Sequence, residues 1–290
     1  MAFLEYRPTQ TLYQFCSVDG FRGILASKEI WCTDLNKGND PRELKLGFQH
    51  FMTAFEFVRS SEFKGSVGDF LDKIKADVER YQNTQRAFCA CFSLIKDGLP
   101  MWNEYGSNYS GLAIGFRPSA ITSMPGRIQK VKYMSDSTPD DFRQLVREIA
   151  GDFDRAHSPD DLFYWIDAVT SVMAAIIALK HRSWAHEQEI RFVHMQTSEQ
   201  ASPEIPRAAF SDGTEIYWKA PLKRDGQRGS VEYKTFPFGR RAKSTCDPSR
   251  AIERVIIGPR CPLTRIEIQA DLEANGFTNF VIEASDCQIR

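Results

Sequence analysis

The sequence predicts an α+β fold in a single domain spanning residues 1–290, with helical insertions at about 43–85 and 140–182. Three observations lead there. Short apolar runs bounded by turn residues read as strands, and longer segments with apolar residues at spacing three and four read as helices. No internal repeat or low-complexity linker divides the 290 residues, so one core serves the whole chain.

The elements follow in order. Thr11–Cys16 reads as a strand, and Ser17 is placed to cap the short helix that carries Phe21, Ile24 and Leu25 on one face. A second strand covers Ile30–Asp34. "NKGNDPRE" is turn chemistry, with Pro41 suited to the first position of the next helix and Asn39, Asp40 and Glu43 read chiefly as its cap. Glu43 to about Tyr81 is helical, with a break expected at "KGSVGD". The strand "AFCACFSL", Ala87–Leu94, follows, then a short helix ending near Gly106 and the strand Gly111–Phe116. Asp140–His157 is an amphipathic helix. A second helix begins at Ser158 and Pro159 and buries Ile166, Val169, Met173, Ile176 and Ile177. Ile190–Met195 is a strand, Thr197–Pro206 a polar loop, and the tail from Ala251 reads as strand, helix, strand.

Composition excludes several classes. With 37 basic and 38 acidic residues, no chain-wide field draws the protein to nucleic acid or to a membrane surface. "MAFLEYRPTQ" turns polar too early for a secretory leader, and the longest apolar run, Val172–Leu179, is far short of a membrane span. Seven scattered cysteines fit a reducing compartment, so a cytoplasmic location is expected. Cys89 and Cys91 form the one close cysteine pair, but with no second CxxC or HxxxH pair to complete a ligand set, no metal is assigned. Lys219–Arg260 holds eleven basic residues against four acidic ones, a local excess that could make a weak phosphate contact. Without interleaved aromatics, a solvated loop region explains it equally well.

The nucleotide signatures GxGxxG, GxxxxGK[ST] and GxSxG are absent. "KHRSWAHEQEIRFVHM", Lys180–Met195, instead sets Glu187 and Glu189 two residues apart. In an extended segment both would share a face with Arg191; in a helix they would diverge by about 200°. "IRFV" favours a strand starting at or just before Glu189. A plain strand-face ion pair between Arg191 and Glu189 explains the same residues without any function.

Here the chain resembles known proteins. "LYQFCSVDGFRGILASKEIW", "AFCACFSLIKDGLPMWNEYGSNYSGLAIGF" and "EQEIRFV" are similar, in that order, to three blocks of the ADP-ribosyltransferase superfamily. LYxxxS, "NDPRE", "CFS", WxxYG, KxxxWxxExExR and "IIGP" together resemble a bacterial family labelled a domain of unknown function. The resemblance implies a split mixed β-sheet core and NAD as substrate, with ADP-ribose transferred to a macromolecule or NAD hydrolysed, as in a toxin or antiphage defence effector. It implies Glu189 as the catalytic glutamate and Glu187 as the group orienting the nucleophile. Gln14 stands where the superfamily carries His or Arg, and Arg7 and Arg22 are the cations nearest in sequence to replace the lost charge. Tyr13, Phe15, Ser17, Cys91, Ser93, Trp102, Tyr105 and Arg191 would complete the pocket, although Trp102 and Tyr105 suit an apolar core equally well. Two other readings stay open: a catalytically silent nucleotide- or protein-binding module, and a metal-dependent nuclease built on Asp40, Glu43, Glu187 and Glu189.

Overall fold

The computed structural model describes residues 6–38, 42–124, 126–134, 138, 140–155, 162–197, 221–226, 229–238 and 246–289. Strand β1 (Leu12–Cys16) leads into α1 (Val18–Ser27), where Ser17 Oγ accepts the Gly20 amide at 3.1 Å as the sequence predicts. Lys28, in the left-handed region at φ 54°, ends the helix and turns the chain into β2 (Glu29–Asp34). Phe21, Ile24 and Leu25 are buried.

Helices α2 (Glu43–Ser61) and α3 (Gly65–Thr84) part at residues 62–64, so the glycine-rich "GSVGD" opens α3 and does not interrupt a helix. Within α3, Gly68 faces the Arg59 guanidinium of α2, where a Cβ would lie 2.7 Å from it. The remaining elements are β3 (Gln85–Ser93), α4 (Leu99–Glu104), β4 (Leu112–Phe116), α5 (Pro118–Thr122), β5 (Arg127–Lys130) and β6 (Lys132–Met134). They continue with α6 (Asp140–Arg155), α7 (Leu162–Ile177), β7 (Leu179–His181), β8 (Glu189–Thr197), β9 (Leu222–Gly226) and β10 (Gly229–Pro237). The chain closes with β11 (Ile252–Ile257), α8 (Arg265–Ala274) and β12 (Val281–Ala284). The predicted caps at Pro41, Ser158 and Pro159, the side chain of Ile166 and most of the 197–206 loop lie outside the described residues. Val169, Met173, Ile176 and Ile177 of the predicted stripe are buried.

Among the described residues, ten strands form one mixed, mostly antiparallel sheet; β6 and β7 form a separate parallel pair. One face packs on α1, α5 and α8 through residues such as Phe21, Ile121 and Leu272. The other face meets a helical layer of α2, α3, α6 and α7, whose own apolar cluster includes Phe51, Leu71, Leu145 and Val172.

The sheet turns on β3. One edge pairs with β8 without interruption from Gln85↔Thr197 to Ser93↔Glu189. The other edge is shared: β2 holds it at Thr33↔Cys89 and Asp34↔Phe88, and β1 holds it at Tyr13↔Ser93. Residues 90–92 pair with no strand on that edge. The sheet therefore opens between β1 and β2, and α1 bridges the opening.

The helical layer is seated by a backbone approach of α2 to α7, where a Cβ on Gly47 would lie 2.5 Å from the Ile176 carbonyl oxygen. Backbone cannot yield as a flexible side chain does, so Gly47→Ala is expected to destabilise the protein by about 2 kcal/mol despite alanine's better helix propensity. The change would be read as a lower urea midpoint at constant slope.

Candidate functional site

A cavity of about 690 Å³ fills the opening between β1 and β2. Its position follows from strand alternation. Tyr13, Ser93 and Glu189 occupy a continuous register across β1, β3 and β8, so they share one face with Phe15, Cys91 and Arg191. Gln14 opposes Ile114 and lies on the α1 face of the sheet, yet it lines the same cavity because the sheet is split there. Ser17 and Tyr105 also line it.

Ten of the eleven residues expected at the site thus reach one cavity. Trp102 does not. It is fully buried behind Phe15, edge to face at 4.8 Å between centroids, and its indole N–H donates to Asp97 at 2.5 Å. Its large, fully buried ring, with the indole N–H satisfied by Asp97, makes it a core residue. Ser93 is committed to backbone: its hydroxyl donates to the Glu187 carbonyl at 2.5 Å and accepts the Ile95 amide at 2.9 Å.

The strand begins at Glu189 as the apolar run predicts, and Glu187 joins it from the preceding turn, not by strand alternation. Arg182–Glu187 is a 3-10 turn, Gln188 sits in the left-handed region at φ 44°, and β8 begins at Glu189. That turn folds Glu187 back so that Lys180 reaches both carboxylates, at 2.6 Å from Glu187 and 3.1 Å from Glu189. Arg191 grips Glu189 with two parallel bonds of 2.7 and 3.0 Å, donates to the Ile177 carbonyl at 2.5 Å, and bonds Glu43 of α2. The plain ion pair is therefore present, but Arg191 is 0% exposed. A guanidinium removed from water carries a desolvation penalty of several kcal/mol, which only such a set of charge-assisted bonds offsets.

Electrostatics separate the carboxylates. Burial raises Glu189, but the charge and hydrogen bonds of Arg191, with Lys180, override it and hold its carboxyl well below the usual range. Glu187 is pushed upward by burial and by the Glu189 charge. Burial also raises Glu43 despite Arg191. The Tyr105 hydroxyl donates to Glu187, and burial together with that carboxylate keeps it protonated. The Cys91 thiol, raised by burial and by Glu189, faces the cavity as a neutral group. The Glu189 amide donates to the Tyr133 hydroxyl at 2.8 Å, tying β6 to the entry of β8.

Several members lay outside the expected set. Lys180 was visible only as the first letter of KxxxWxxExExR, and its apolar context "IIALKH" was the one hint of burial. The sequence presents Glu43 chiefly as a helix cap, and Asn39, Asp40 and Pro41 of its motif lie outside the described residues. Glu43, Glu187 and Glu189 do gather, but Lys180 and Arg191 bond them where a nuclease metal would bind, and two cations oppose a third. Arg22 pairs with Asp271 away from the cavity, and neither it nor Arg7 lines it. The lining does include Arg224. Within the basic segment, Lys219, Arg228, Arg240, Arg241 and Lys243 lie outside the described residues. Lys234 is buried and Arg254 pairs with Glu283, so the described part is not one exposed stripe. No helix among the described residues is long and apolar enough to cross a membrane.

Fold and site together define a one-domain α+β protein with a buried two-cation, three-carboxylate cluster at the floor of a sheet cleft. The profile of a family described as "Protein of unknown function (DUF2971)" matches residues 101–192. That stretch holds Tyr105, Lys180, Glu187, Glu189 and Arg191; β1 and Glu43 fall outside it. No curated protein and no solved structure matches the chain.

Arg191→Met leaves Glu43 and Glu189 buried without their shared partner and is expected to cost about 3–5 kcal/mol, read by urea denaturation at neutral pH. Acid titration gives a second expectation. A depressed folded pKa means that the unfolded chain binds the Glu189 proton more readily, so its stabilisation is complete above the ordinary carboxylate range and is lost as pH falls through and below it. Glu43 and Glu187, shifted upward, act in the opposite sense and lose stability as pH rises through that range. Glu189→Gln should flatten the acid limb of the stability curve, whereas Glu187→Gln should steepen it, both followed by urea midpoints at successive pH values.

Proposed function

We propose that the protein uses NAD as a substrate, breaking the nicotinamide–ribose bond and passing ADP-ribose to a macromolecular acceptor or to water. The observation that supports this reading best is the carboxylate pair: two glutamates joined by one lysine, shifted in opposite directions, at the floor of a ligand-sized cavity. Titratable groups whose environments drive them apart are the usual arrangement for dividing anionic and proton-transfer roles.

The chemistry suits the pair. As the bond from ribose C1′ to the pyridinium nitrogen breaks, its electrons return to the ring and nicotinamide leaves neutral. Positive charge then develops on the sugar, as in glycoside cleavage. Glu189, held ionised by Arg191, supplies a fixed anion for that charge, a contribution worth ~3 kcal/mol or more. Glu187 is the proton acceptor: an attacking hydroxyl or water adds to C1′, and its proton passes to this carboxylate. Tyr105 orients Glu187 by donating to its other oxygen.

The residues present fit the ligand. The volume lies within the usual range for small-molecule sites. Gln14 Oε1 is buried without a hydrogen-bond partner among the described residues, an acceptor that a carboxamide or hydroxyl would satisfy. A second reading, a nucleotide-binding module without turnover, is favoured by Lys180 and Arg191 already bonding both carboxylates.

Incubation with NAD and candidate acceptors, with nicotinamide release as readout, tests the proposal. Glu189→Gln and Glu187→Gln are each expected to lower release by about 10²–10³-fold while near-ultraviolet circular dichroism stays native. Absence of release from the wild-type protein with every acceptor, or release unaffected by Glu189→Gln, rejects the enzyme. Saturable NAD binding without release would leave the binding module.

A further inference from the structure

On the carboxylate face of the sheet, at the far side of the split, an aromatic platform stands beside the cavity. Trp31 of β2 is 38% exposed and stacks on Tyr233 of β10 at 4.7 Å and 26°. Arg224 of β9 lies over both rings, at 5.5 and 5.6 Å, and donates to Thr33 Oγ1 at 3.0 Å. The register puts all of them on one face: Tyr233 opposes Thr33, Thr33 opposes Cys89, and Arg224 opposes Val231. Trp31, Thr33 and Arg224 line the same cavity as Glu187 and Glu189.

Two features separate this patch from an ordinary surface stack. Trp31, although stacked on Tyr233, keeps 38% of its surface exposed where it lines the cavity, so a planar group can pack against it. Of the three lining cations, Lys180 and Arg191 are bonded to glutamates, whereas Arg224 has no carboxylate partner among the described residues. Its guanidinium is held in place by two rings and a threonine, so little rotamer freedom is lost when it takes an anion. β2 leaves β3 beyond Thr33, and Trp31 then faces Cys91 across the gap with Arg191 one strand further. The platform is thus roughly 10 Å or more from the carboxylates, too far for one ring system to touch both.

We propose that Trp31, Tyr233 and Arg224 form a nucleotide subsite, in which Trp31 stacks the nucleobase and Arg224 binds the adjoining phosphate of an extended ligand whose sugar reaches Glu187 and Glu189. This deepens the NAD reading and rests on it for the identity of the far end. It also supplies, from β9, the cation that Gln14 withholds on β1.

Calorimetric titration of the full chain with AMP and with ADP-ribose tests the subsite. Both ligands are expected to bind the wild type. Trp31→Leu and Arg224→Gln should each weaken them about tenfold, and Trp31→Phe should retain most of the affinity. These side chains are exposed at the rim, so thermal unfolding should stay close to that of the wild type. Failure of AMP to bind the wild type, or equal affinity in Trp31→Leu, overturns the subsite whatever the nicotinamide assay gives. AMP binding that depends on Trp31 and Arg224 without nicotinamide release leaves the subsite standing and removes the NAD reading.

Discussion

One buried guanidinium ties the central sheet to the helical layer that covers one of its faces. Arg191 points from the central sheet into the helical layer and spends four of its five N–H donors on Glu189 beside it, Glu43 of α2 and the last carbonyl of α7. Each partner belongs to a different element, so the position of α2 and α7 over the sheet and the orientation of Glu189 are set by the same set of bonds. A buried ion network of this kind seldom increases net stability over an apolar equivalent. Its consequence is geometric, because the charges accept only one arrangement of the elements that carry them.

The second constraint is topological. β3 gives one edge wholly to β8 and divides the other between β1 and β2. The gap so created is walled by two strands, by α1 and by the face carrying the charged cluster. An intact sheet would have confined Gln14 to the α1 face and the glutamates to the other, with no common space. The split lets both faces meet one cavity, which Trp31 of β2 and Cys91 of β3 both line.

Charge accounting explains the character of the floor. Three glutamates and two cations are buried together, so one carboxylate is left in excess, and Lys180 distributes its charge between Glu187 and Glu189. Arg191 fixes Glu189 as an anion. Burial pushes both Glu43 and Glu187 toward protonation, and of these two Glu187 lies beside Glu189 and is oriented by Tyr105. The floor is therefore a polarised pair within a shared set of hydrogen bonds.

The sequence by itself determined the local pieces. Short apolar runs between turn residues placed β1, β3, β4 and β8, spacing three and four placed α1, α6 and α7, and Ser17 capped its helix, because these features depend on residues a few positions apart. It also marked Glu187, Glu189 and Arg191 as a unit. Only the tertiary structure decided what that unit touches. Glu43 lies 148 positions from Arg191, and Arg224 reaches Thr33 across 191; no periodicity encodes such distances. Trp102 had the composition of a pocket wall, and packing against Phe15 made it core. The strand begins at Glu189, where the apolar run places it, but the left-handed corner at Gln188 that brings Glu187 back toward Glu189 is visible only in the folded chain.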